Sequence, residues 1–232
     1  MSFFDTDFHC HILPGIDDGA ADLDVSLGLL QMQAAQGVRT VIATPHYRHH
    51  QQSVRRFLEN RQAAYEEVAA HAFDGMPHIL LAAEVALERN LSEVKDIAAL
   101  GCAEMNTLLI ELPLFESYHK WMAEEIEEIS YRTRKQIMIA HLDRYVDMYS
   151  SKDYADILNI PDAIFQFNLS TFSDRKAKKL LNQLVKDEYP IVFGTDCHNL
   201  TGRKSNFDVL GKQMKKYEPS VTVERLFANV DV

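Results

Sequence analysis

Short apolar runs alternate with longer amphipathic segments along nearly the whole chain. Runs such as Val-Ile-Ala at 41–43 and Leu-Leu-Ile at 108–110 contain no alternating polar residues, which is typical of strands covered on both faces. The pattern therefore predicts seven strands of a parallel sheet, at Asp7–His9, Val38–Ala43, His78–Ala83, Thr107–Glu111, Ile137–Ala140, Ala163–Leu169 and Ile191–Thr195.

The segments between and after these strands have helical spacing of apolar residues. Predicted helices cover Asp22–Gln36, Ser53–Ala72, Leu91–Leu100, Tyr118–Lys135, Lys152–Leu158, Asp174–Glu188 and Lys204–Lys216. Strands that alternate with helices imply right-handed crossovers and an α/β fold. Seven strands favour a distorted seven-stranded (β/α)7 TIM-like barrel, with an open sheet as the alternative. Nothing resembles a linker, so we expect a single domain over residues 1–232.

Residues with imidazole or carboxylate side chains follow six of the seven predicted strands. In α/β barrels the C-terminal ends of the strands meet at one rim, where active sites are built. We therefore expect one cluster of side chains there, made by His9, His11, His46, Glu84, Glu111, His141, Asp196 and His198.

The combination is more informative than any of its parts. A His-x-His at a strand end places two imidazoles on one side of the pleat, where they can bind one cation, but such a tripeptide also arises by chance. Glu84 and Glu111, however, directly follow runs too apolar for a surface strand. Unpaired buried carboxylates are very costly, and divalent cations would satisfy them. Together these residues predict a metal site.

Charge and composition narrow the class of protein. The 232 residues include 24 Lys and Arg against 34 Asp and Glu, a formal charge of −10. This balance argues against nonspecific nucleic-acid binding, which depends on neutralising phosphates. No apolar run approaches the roughly 18 residues that span a bilayer, and no secretory signal is visible. We expect a cytoplasmic protein that does not insert into a membrane.

The three cysteines, Cys10, Cys102 and Cys197, are far apart in the sequence and odd in number, which fits reduced thiols in a cytoplasm. Cys10 and Cys102 have no Arg at the Cys-x5-Arg spacing of a thiolate phosphatase, whereas Arg203, six residues after Cys197, does stand at that spacing. Core packing is the expected role of Cys10 and Cys197.

The motifs at these strand ends together resemble the polymerase-and-histidinol-phosphatase (PHP) superfamily. They are His9-Cys10-His11, Ile12–Gly19 with its Asp17-Asp18-Gly19, Thr44-Pro45-His46-Tyr47, Glu111-Leu112-Pro113, Ala140-His141 and Asp196-Cys197-His198. The Asp-Asp-Gly and Glu-Leu-Pro segments are similar to its manganese-dependent protein-tyrosine phosphatase branch. Members of that branch are typically encoded with capsular or exopolysaccharide genes and dephosphorylate the partner tyrosine kinase.

The resemblance implies three divalent cations. Its pattern assigns the first to His9, His11, Glu84 and Asp196, the second to Glu84, Glu111 and His141, and the third to Asp18, His46 and His198. Asp17 is an alternative to Asp18, because sequence does not separate adjacent carboxylates. The resemblance also implies two site arginines, which match Arg144 and Arg203. The sequence departs from the usual motifs of this branch at Leu142, where Pro is common, and at Cys197, where a small residue is common.

The resemblance and the charge of the substrate together suggest a mechanism. Phosphotyrosine brings nearly two negative charges, which three divalent cations against four acidic ligands would attract. We expect direct attack by metal-bound hydroxide at a trinuclear site, without a phosphoenzyme. Arg144 and Arg203 would bind phosphoryl oxygens, and His198 or a bound water could protonate the leaving group. Hard carboxylates mixed with imidazoles favour Mn²⁺, with iron or zinc as alternatives.

The expected substrate is a phosphotyrosine protein, with a bacterial tyrosine autokinase as the implied partner. Aromatic and basic residues at the rim, which would suit a phenyl phosphate, are Tyr47, Arg48, Phe115, Tyr118 and Tyr145. Alternatives are a small-molecule phosphatase of the superfamily such as histidinol phosphatase, a nuclease of the same superfamily, and a catalytically silent metal-binding module. The acidic charge weighs against the nuclease, and the complete ligand set against the silent module.

Overall fold

The computed structural model describes residues 3–114, 117–213, 217 and 220–226, which form a mixed α/β fold with parallel sheets. Its strands are β1 Thr6–Cys10, β2 Thr40–Ala43, β3 His46–Tyr47, β4 His78–Leu81, β5 Glu84–Ala86, β6 Thr107–Glu111, β7 Gln136–Ile139, β8 Ile164–Asn168 and β9 Ile191–Gly194. Its α-helices are α1 Leu23–Ala35, α2 Val54–Ala69, α3 Trp121–Thr133, α4 Ser151–Leu158, α5 Arg175–Lys186, α6 Asp208–Gln213 and α7 Val221–Leu226.

The predicted number of seven strands is wrong, because the described residues contain nine. The predicted strands Val38–Ala43 and His78–Ala83 contain β2 and β4, but each is followed within a few residues by a second short strand, β3 and β5. Pro45, which lacks an N–H, lies between β2 and β3 and interrupts the ladder there. The consequence is two sheets, with strand orders β1-β2-β4 and β3-β5-β6-β7-β8-β9.

Backbone hydrogen bonds join the two sheets at both places where they meet. The N–H of Glu84 donates to the carbonyl of Pro45 over 3.1 Å, between the short strands. On the other side, the N–H of Asp196 donates to the carbonyl of His9 over 2.8 Å, and the N–H of His11 donates to that of Cys197 over 2.9 Å. These bonds hold the ends of β1 and β9 side by side.

The predicted helix over Leu91–Leu100 is wrong. Two separate 3-10 turns, Leu91–Glu93 and Ile97–Leu100, occupy this segment. Val94 between them is extended, and Asp96 has a left-handed φ of 64°, so a continuous helix is impossible. Leu91, Ile97 and Leu100 are nevertheless buried, so the two turns bury the apolar spacing that predicted one helix.

The predicted helix over Lys204–Lys216 is shorter in the structure, where α6 begins only at Asp208. The preceding residues are held instead by the residue that caps the C-terminus of α1: Gln36 Oε1 accepts bonds from the Ser205 hydroxyl and the Phe207 N–H, both at 2.7 Å. Residues 214–216 lie outside the described part of the chain.

The core lies on both faces of the strands, as the unbroken apolar runs predicted. All residues of β1, β2, β6, β8 and β9 are buried, and helices cover the outer faces. Helix α1 begins where the Asp22 carboxylate accepts from the Val25 N–H and ends before Gly37, whose φ of 91° suits glycine. Among the described residues, no helix has the length and apolar character needed to cross a bilayer.

One buried carboxylate stabilises the contact between β1 and β9. Asp7 Oδ1 accepts from the backbone N–H groups of Thr195 (2.9 Å) and His9 (3.2 Å). Its Oδ2 accepts from the Thr195 hydroxyl and from Gln33 Nε2 of α1, both at 2.6 Å. Burial raises the pKa of Asp7 to about 6, although the bonds from Thr195 and His9 favour the charged form.

Thr195→Val tests this contact, because it keeps the shape of the side chain and removes one donor to Asp7. Hydrogen bonds to charged groups contribute about 1.5–3 kcal/mol, so we expect the free energy of unfolding in urea to fall by that amount. Thr201→Val, on the exposed loop that follows, is the control and should change it by less than about 0.5 kcal/mol. Equal unfolding midpoints for the two variants would contradict the role of Asp7.

Candidate metal centre

All the predicted strand-end residues lie together in the structure, with the carboxylate of Glu84 at the centre. Glu84 begins β5 and is 1% exposed. Its Oε2 lies 3.2 Å from His9 Nε2, 3.3 Å from His11 Nε2 and 3.0 Å from His46 Nδ1. Its Oε1 lies 2.8 Å from His141 Nε2. Four imidazoles from three separate stretches of chain thus converge on one carboxylate.

Asp196 and Glu111 complete the buried part of the cluster. Asp196 Oδ1 lies 3.5 Å from His11 Nε2 and 3.8 Å from His9 Nε2. Glu111 Oε1, at the end of β6, lies 3.4 Å from His141 Nε2. The cluster therefore has carboxylates on both sides of Glu84.

Asp18 and Asp17 have different environments, which separates two residues that the sequence left as alternatives. The carboxylate of Asp18 is 68% exposed, with Oδ1 3.4 Å from His46 Nε2 and 3.7 Å from His198 Nε2. Asp17 lies behind the cluster, where its Oδ2 accepts from His11 Nδ1 (2.8 Å) and from the His46 N–H (2.9 Å). Asp18 is therefore the one that faces the imidazoles.

Three groups of these side chains have ligand atoms within 4.8 Å of one another: His9, His11 and Asp196; His11, His46 and His198; and His46, Glu84 and Glu111. The first group agrees with the first predicted ligand set. The other two place His46 beside Glu111, and His11 beside His198, where the predicted sets have His141 and Asp18. The described residues thus bring the nine predicted ligands together, while their division among cations stays a prediction.

Several atoms of the cluster are buried without a hydrogen-bond partner in the described part of the chain. They include Glu84 Oε2, His46 Nδ1, His141 Nδ1 and His198 Nε2. Buried polar atoms are normally paired, and those left unpaired at a site indicate a missing ion or water. Oxygen and imidazole nitrogen without cysteine sulfur suit divalent cations such as Mn²⁺, iron or zinc. The residues present therefore fit the metal that the sequence predicted.

The ionisation of the cluster shows how strongly it attracts positive charge. Burial raises the pKa of Glu84, but the surrounding imidazoles, His9 and His11 among them, outweigh burial and hold it well below its usual range. Burial likewise opposes the charge on His11, yet contacts with Asp17 and Glu84 raise its pKa to about 10. Contacts with Glu111 and Glu84 raise the pKa of His141 to about 9 in the same way. Protons thus supply positive charge where cations would bind, so cation binding must displace them.

The two predicted arginines lie at the opening of the cluster. Arg144 forms an ion pair with Asp196 Oδ2 and lies 3.5 Å from Glu111 Oε1, with its side chain 31% exposed. Arg203 donates to Asp196 Oδ1 over 2.8 Å and lies 3.9 Å from Asp18 Oδ2, with its side chain 42% exposed. Both guanidinium groups therefore contact the cluster and also face solvent.

Two cluster residues are held in unusual backbone conformations. His141 has φ 30° and Asp196 has φ 52°, in the left-handed region that residues other than glycine seldom adopt. Such conformations are concentrated at functional sites, where the surrounding structure maintains them. Here they turn each side chain back towards the cluster at the end of β7 and β9.

Two of the four aromatic residues predicted for the rim do not line it. Tyr47 and Tyr145 are completely buried, and the Tyr145 hydroxyl donates to the carbonyl of Leu112 over 2.7 Å. Tyr118 is half-buried and Arg48 is exposed, while Phe115 lies outside the described residues. Tyr47 and Tyr145 therefore belong to the core.

Both cysteines next to the cluster pack in the core, as predicted. Cys10 and Cys197 are fully buried, and both thiols are free. Their backbones pair as an isolated parallel β-bridge between the two sheets. Burial raises the pKa of both thiols, which leaves them protonated and unsuited to nucleophilic attack.

Sequence reasoning missed the residues that orient the ligands. Gln166 Oε1 accepts from His9 Nδ1 over 3.0 Å, and Asn168 Nδ2 donates to Asp196 Oδ2 over 2.9 Å. The signal for Gln166 was a polar residue inside the apolar run Ile164-Phe165-Gln166-Phe167, which a purely structural strand would not need.

Comparison with known proteins shows similarity to tyrosine phosphatases. The chain is 34% identical over 207 residues to tyrosine-protein phosphatase YwqE of Bacillus subtilis, covering 85% of this chain and 78% of that protein. It is 24% identical over 206 residues to CapC of Staphylococcus aureus, with the same coverage. A crystal structure from a study of YwqE and of CpsB from Streptococcus pneumoniae, described there as metal-dependent tyrosine phosphatases, superposes with a TM-score of 0.75. That match has 22% identity and covers 98% of this chain and 96% of the other, so it shows the shared fold.

The family model for capsular polysaccharide synthesis proteins of the CpsB/CapC type matches residues 5–231, nearly the whole chain. The chain belongs to the CpsB/CapC family.

Proposed function

We propose that this chain is a metal-dependent protein-tyrosine phosphatase, a phosphoric monoester hydrolase. The observation that carries the proposal is the buried Glu84 carboxylate, whose unpaired Oε2 lies within 3.3 Å of three imidazoles beneath two half-exposed arginines. The similarity to YwqE, named as a tyrosine-protein phosphatase, supports the choice of substrate class.

Three cations would be held by the nine predicted ligands, with Glu84 shared between two of them. His9, His11, Glu84 and Asp196 would hold the first; Glu84, Glu111 and His141 the second; Asp18, His46 and His198 the third. When bound, divalent cations would offset the acidic ligands, bind phosphoryl oxygens and lower the pKa of water towards ~7. Mn²⁺ suits this mixture of ligands, and iron or zinc would be the alternatives.

The arginines would bind and orient the phosphoryl group. Each uses part of its guanidinium on Asp196, and the exposed remainder can donate to oxygens of a phosphate at the opening. A guanidinium fork matches phosphate geometry and stabilises charge that grows in the transition state. Asp196 thus has a second task besides metal binding, since it fixes the direction of both forks.

His198 would act as a ligand rather than as the acid that protonates the leaving group. Its Nδ1 donates to the backbone carbonyl of Asp196 over 3.0 Å, which leaves a lone pair on Nε2 facing Asp18. Tyrosinate, with a pKa of ~10, needs little help from an acid. A phenolic leaving group therefore matches a site without a dedicated acid better than an alkyl phosphate does.

The fold that we propose is the distorted TIM-like barrel in a single domain over residues 1–232. The nine strands would act as seven, with β2 and β3 forming one interrupted strand and β4 and β5 another. The hydrogen bonds between Asp196 and His9 and between His11 and Cys197 support closure of the two sheets into one barrel. Closure would bring the ends of β1 and β9 to the same rim as β5, β6 and β7.

The partner that we propose is a phosphorylated bacterial tyrosine autokinase, which the chain would meet in the cytoplasm. Its membership in a capsular polysaccharide synthesis family supports a substrate from that process.

The first test is cation binding. Adding Mn²⁺ to chelator-treated protein should raise the thermal midpoint, since a ligand at 100 times its Kd stabilises by about 2.7 kcal/mol. Glu84→Gln should show a much smaller rise and hold less Mn²⁺ by elemental analysis. Glu59→Gln, on the exposed face of α2, should respond like the wild type. The same rise in all three proteins would contradict Glu84 as a shared ligand.

The second test is substrate preference. With Mn²⁺, the protein should hydrolyse para-nitrophenyl phosphate and a phosphotyrosyl peptide, and chelator should stop both reactions. His141→Ala and Asp196→Ala should lower turnover more than about 100-fold while circular dichroism stays unchanged, because each removes a ligand. Faster hydrolysis of histidinol phosphate than of the peptide would instead favour the small-molecule phosphatase.

The third test addresses the arginines. Arg203→Lys should lower kcat/KM for the phosphotyrosyl peptide about 100-fold, because a point charge does not replace a two-pronged donor. The Mn²⁺ content of this variant should stay at the wild-type value. Arg175→Lys, exposed on α5, is the matched control. Unchanged kcat/KM in Arg203→Lys would remove Arg203 from the phosphate site.

A further inference from the structure

Strand β8 lies beside the cluster but contributes neither an imidazole nor a carboxylate to it. It carries two buried amides instead, Gln166 and Asn168, whose side chains lie on the same face of the strand. Gln166 Nε2 donates to Asn168 Oδ1 over 3.1 Å, so the two amides are linked. Their outer ends contact His9 at one side and Asp196 at the other.

One backbone group fixes the direction of every hydrogen bond that links these side chains. The N–H of His141 can only donate, and it lies 2.6 Å from the Gln166 amide, which must therefore present its oxygen. The same oxygen faces His9 Nδ1 at 3.0 Å, so Nδ1 must carry the proton. In the neutral imidazole, the lone pair of His9 then lies on Nε2, the atom that faces Glu84. An imidazole fixed in this way is ready to bind a cation through Nε2.

The hydrogen bonds at the Asp196 end of this network also have a fixed direction. Gln166 Nε2 donates to Asn168 Oδ1, so the Asn168 amide nitrogen points towards Asp196 Oδ2. That bond adds a neutral donor to a carboxylate that Arg144 and Arg203 already contact. Asn168 thus fixes Asp196 from the side of the sheet.

The neighbouring strand leaves room for these amides. Gly194 in β9 pairs with Asn168, and a Cβ placed on it would lie 2.5 Å from His9 Cβ and 2.9 Å from Gln166 Nε2. Such distances exclude any side chain at position 194 without displacement of His9 or Gln166. Glycine at this register position therefore permits the contact between His9 and Gln166.

We propose that Gln166 and Asn168 form an amide relay that positions His9 and Asp196 for cation binding, with Gln166 as its principal residue. The relay rests on the proposed function, because it has a task only if the cluster holds cations. Gln166 and Asn168 are positioning residues, since they act through His9, His141 and Asp196.

Calorimetric titration of Mn²⁺ into the chelator-treated protein tests the relay. Gln166→Met keeps the length of the side chain and removes the acceptor, and should weaken Mn²⁺ binding 10–100-fold, as is usual for partners of metal ligands. Gln166→Glu restores an acceptor for both N–H groups and should bind Mn²⁺ more tightly than Gln166→Met. Asn168→Leu should weaken binding less than Gln166→Met, because Arg144 and Arg203 still hold Asp196. Gln136→Met, at the far end of β7, should bind like the wild type.

Activity provides a second readout. A residue that acts through cation binding should lose phosphatase activity at low Mn²⁺ and regain most of it at saturating Mn²⁺, whereas general damage to the fold would lower activity at every Mn²⁺ concentration. Wild-type affinity in Gln166→Met would overturn the relay alone while leaving the phosphatase proposal standing. Absence of Mn²⁺ binding by the wild type would overturn both.

Discussion

The buried carboxylate of Glu84 and its four imidazoles set the constraint on which the rest of the site depends. A carboxylate that is 1% exposed cannot stay charged without positive charge close by. Protonated His11, after β1, and protonated His141, after β7, supply that charge, and cations would supply it if bound. Because these imidazoles lie far apart in sequence, the cluster can form only when the strands are correctly paired. Assembly of the site and assembly of the sheets are therefore one event.

The ends of the strands must be held in a conformation that a plain parallel strand does not adopt. His141 and Asp196 have positive φ angles, and each is held by hydrogen bonds from an adjacent element. The N–H of His141 is bound by Gln166, and the N–H of Asp196 by the carbonyl of His9. Asp7 helps to hold Asp196 in place, because it accepts two hydrogen bonds from Thr195, the residue directly before Asp196. The unusual backbone at these two predicted ligands is thus maintained by buried polar groups that are not themselves predicted to bind a cation.

The sequence predicted the identity of the cluster better than its internal organisation. Carboxylates and imidazoles that follow apolar runs are visible in the sequence as departures from an otherwise apolar pattern. The predicted bounds of the strand Thr107–Glu111 also agree with those of β6. The split of two strands was not predictable, because β3 and β5 have only two and three residues, too few for periodicity. The 3-10 turns at Leu91–Glu93 and Ile97–Leu100 bury apolar residues whose spacing in the sequence is that of a helix, which is why the pattern predicted one. The burial of Tyr47 and Tyr145 depended on tertiary packing.

The predicted ligands are distinct from the residues that orient them. An imidazole has two nitrogens, so each histidine needs a partner on the side away from the cation. For His11 that partner is Asp17, on the loop after β1, and for His198 it is the backbone of Asp196. For His9, the only side chain that reaches Nδ1 among the described residues is that of Gln166. A neutral amide there adds no charge to a site already rich in carboxylates. Strand β8 thus supplies the partner that orients His9, and none of its described residues is a predicted ligand.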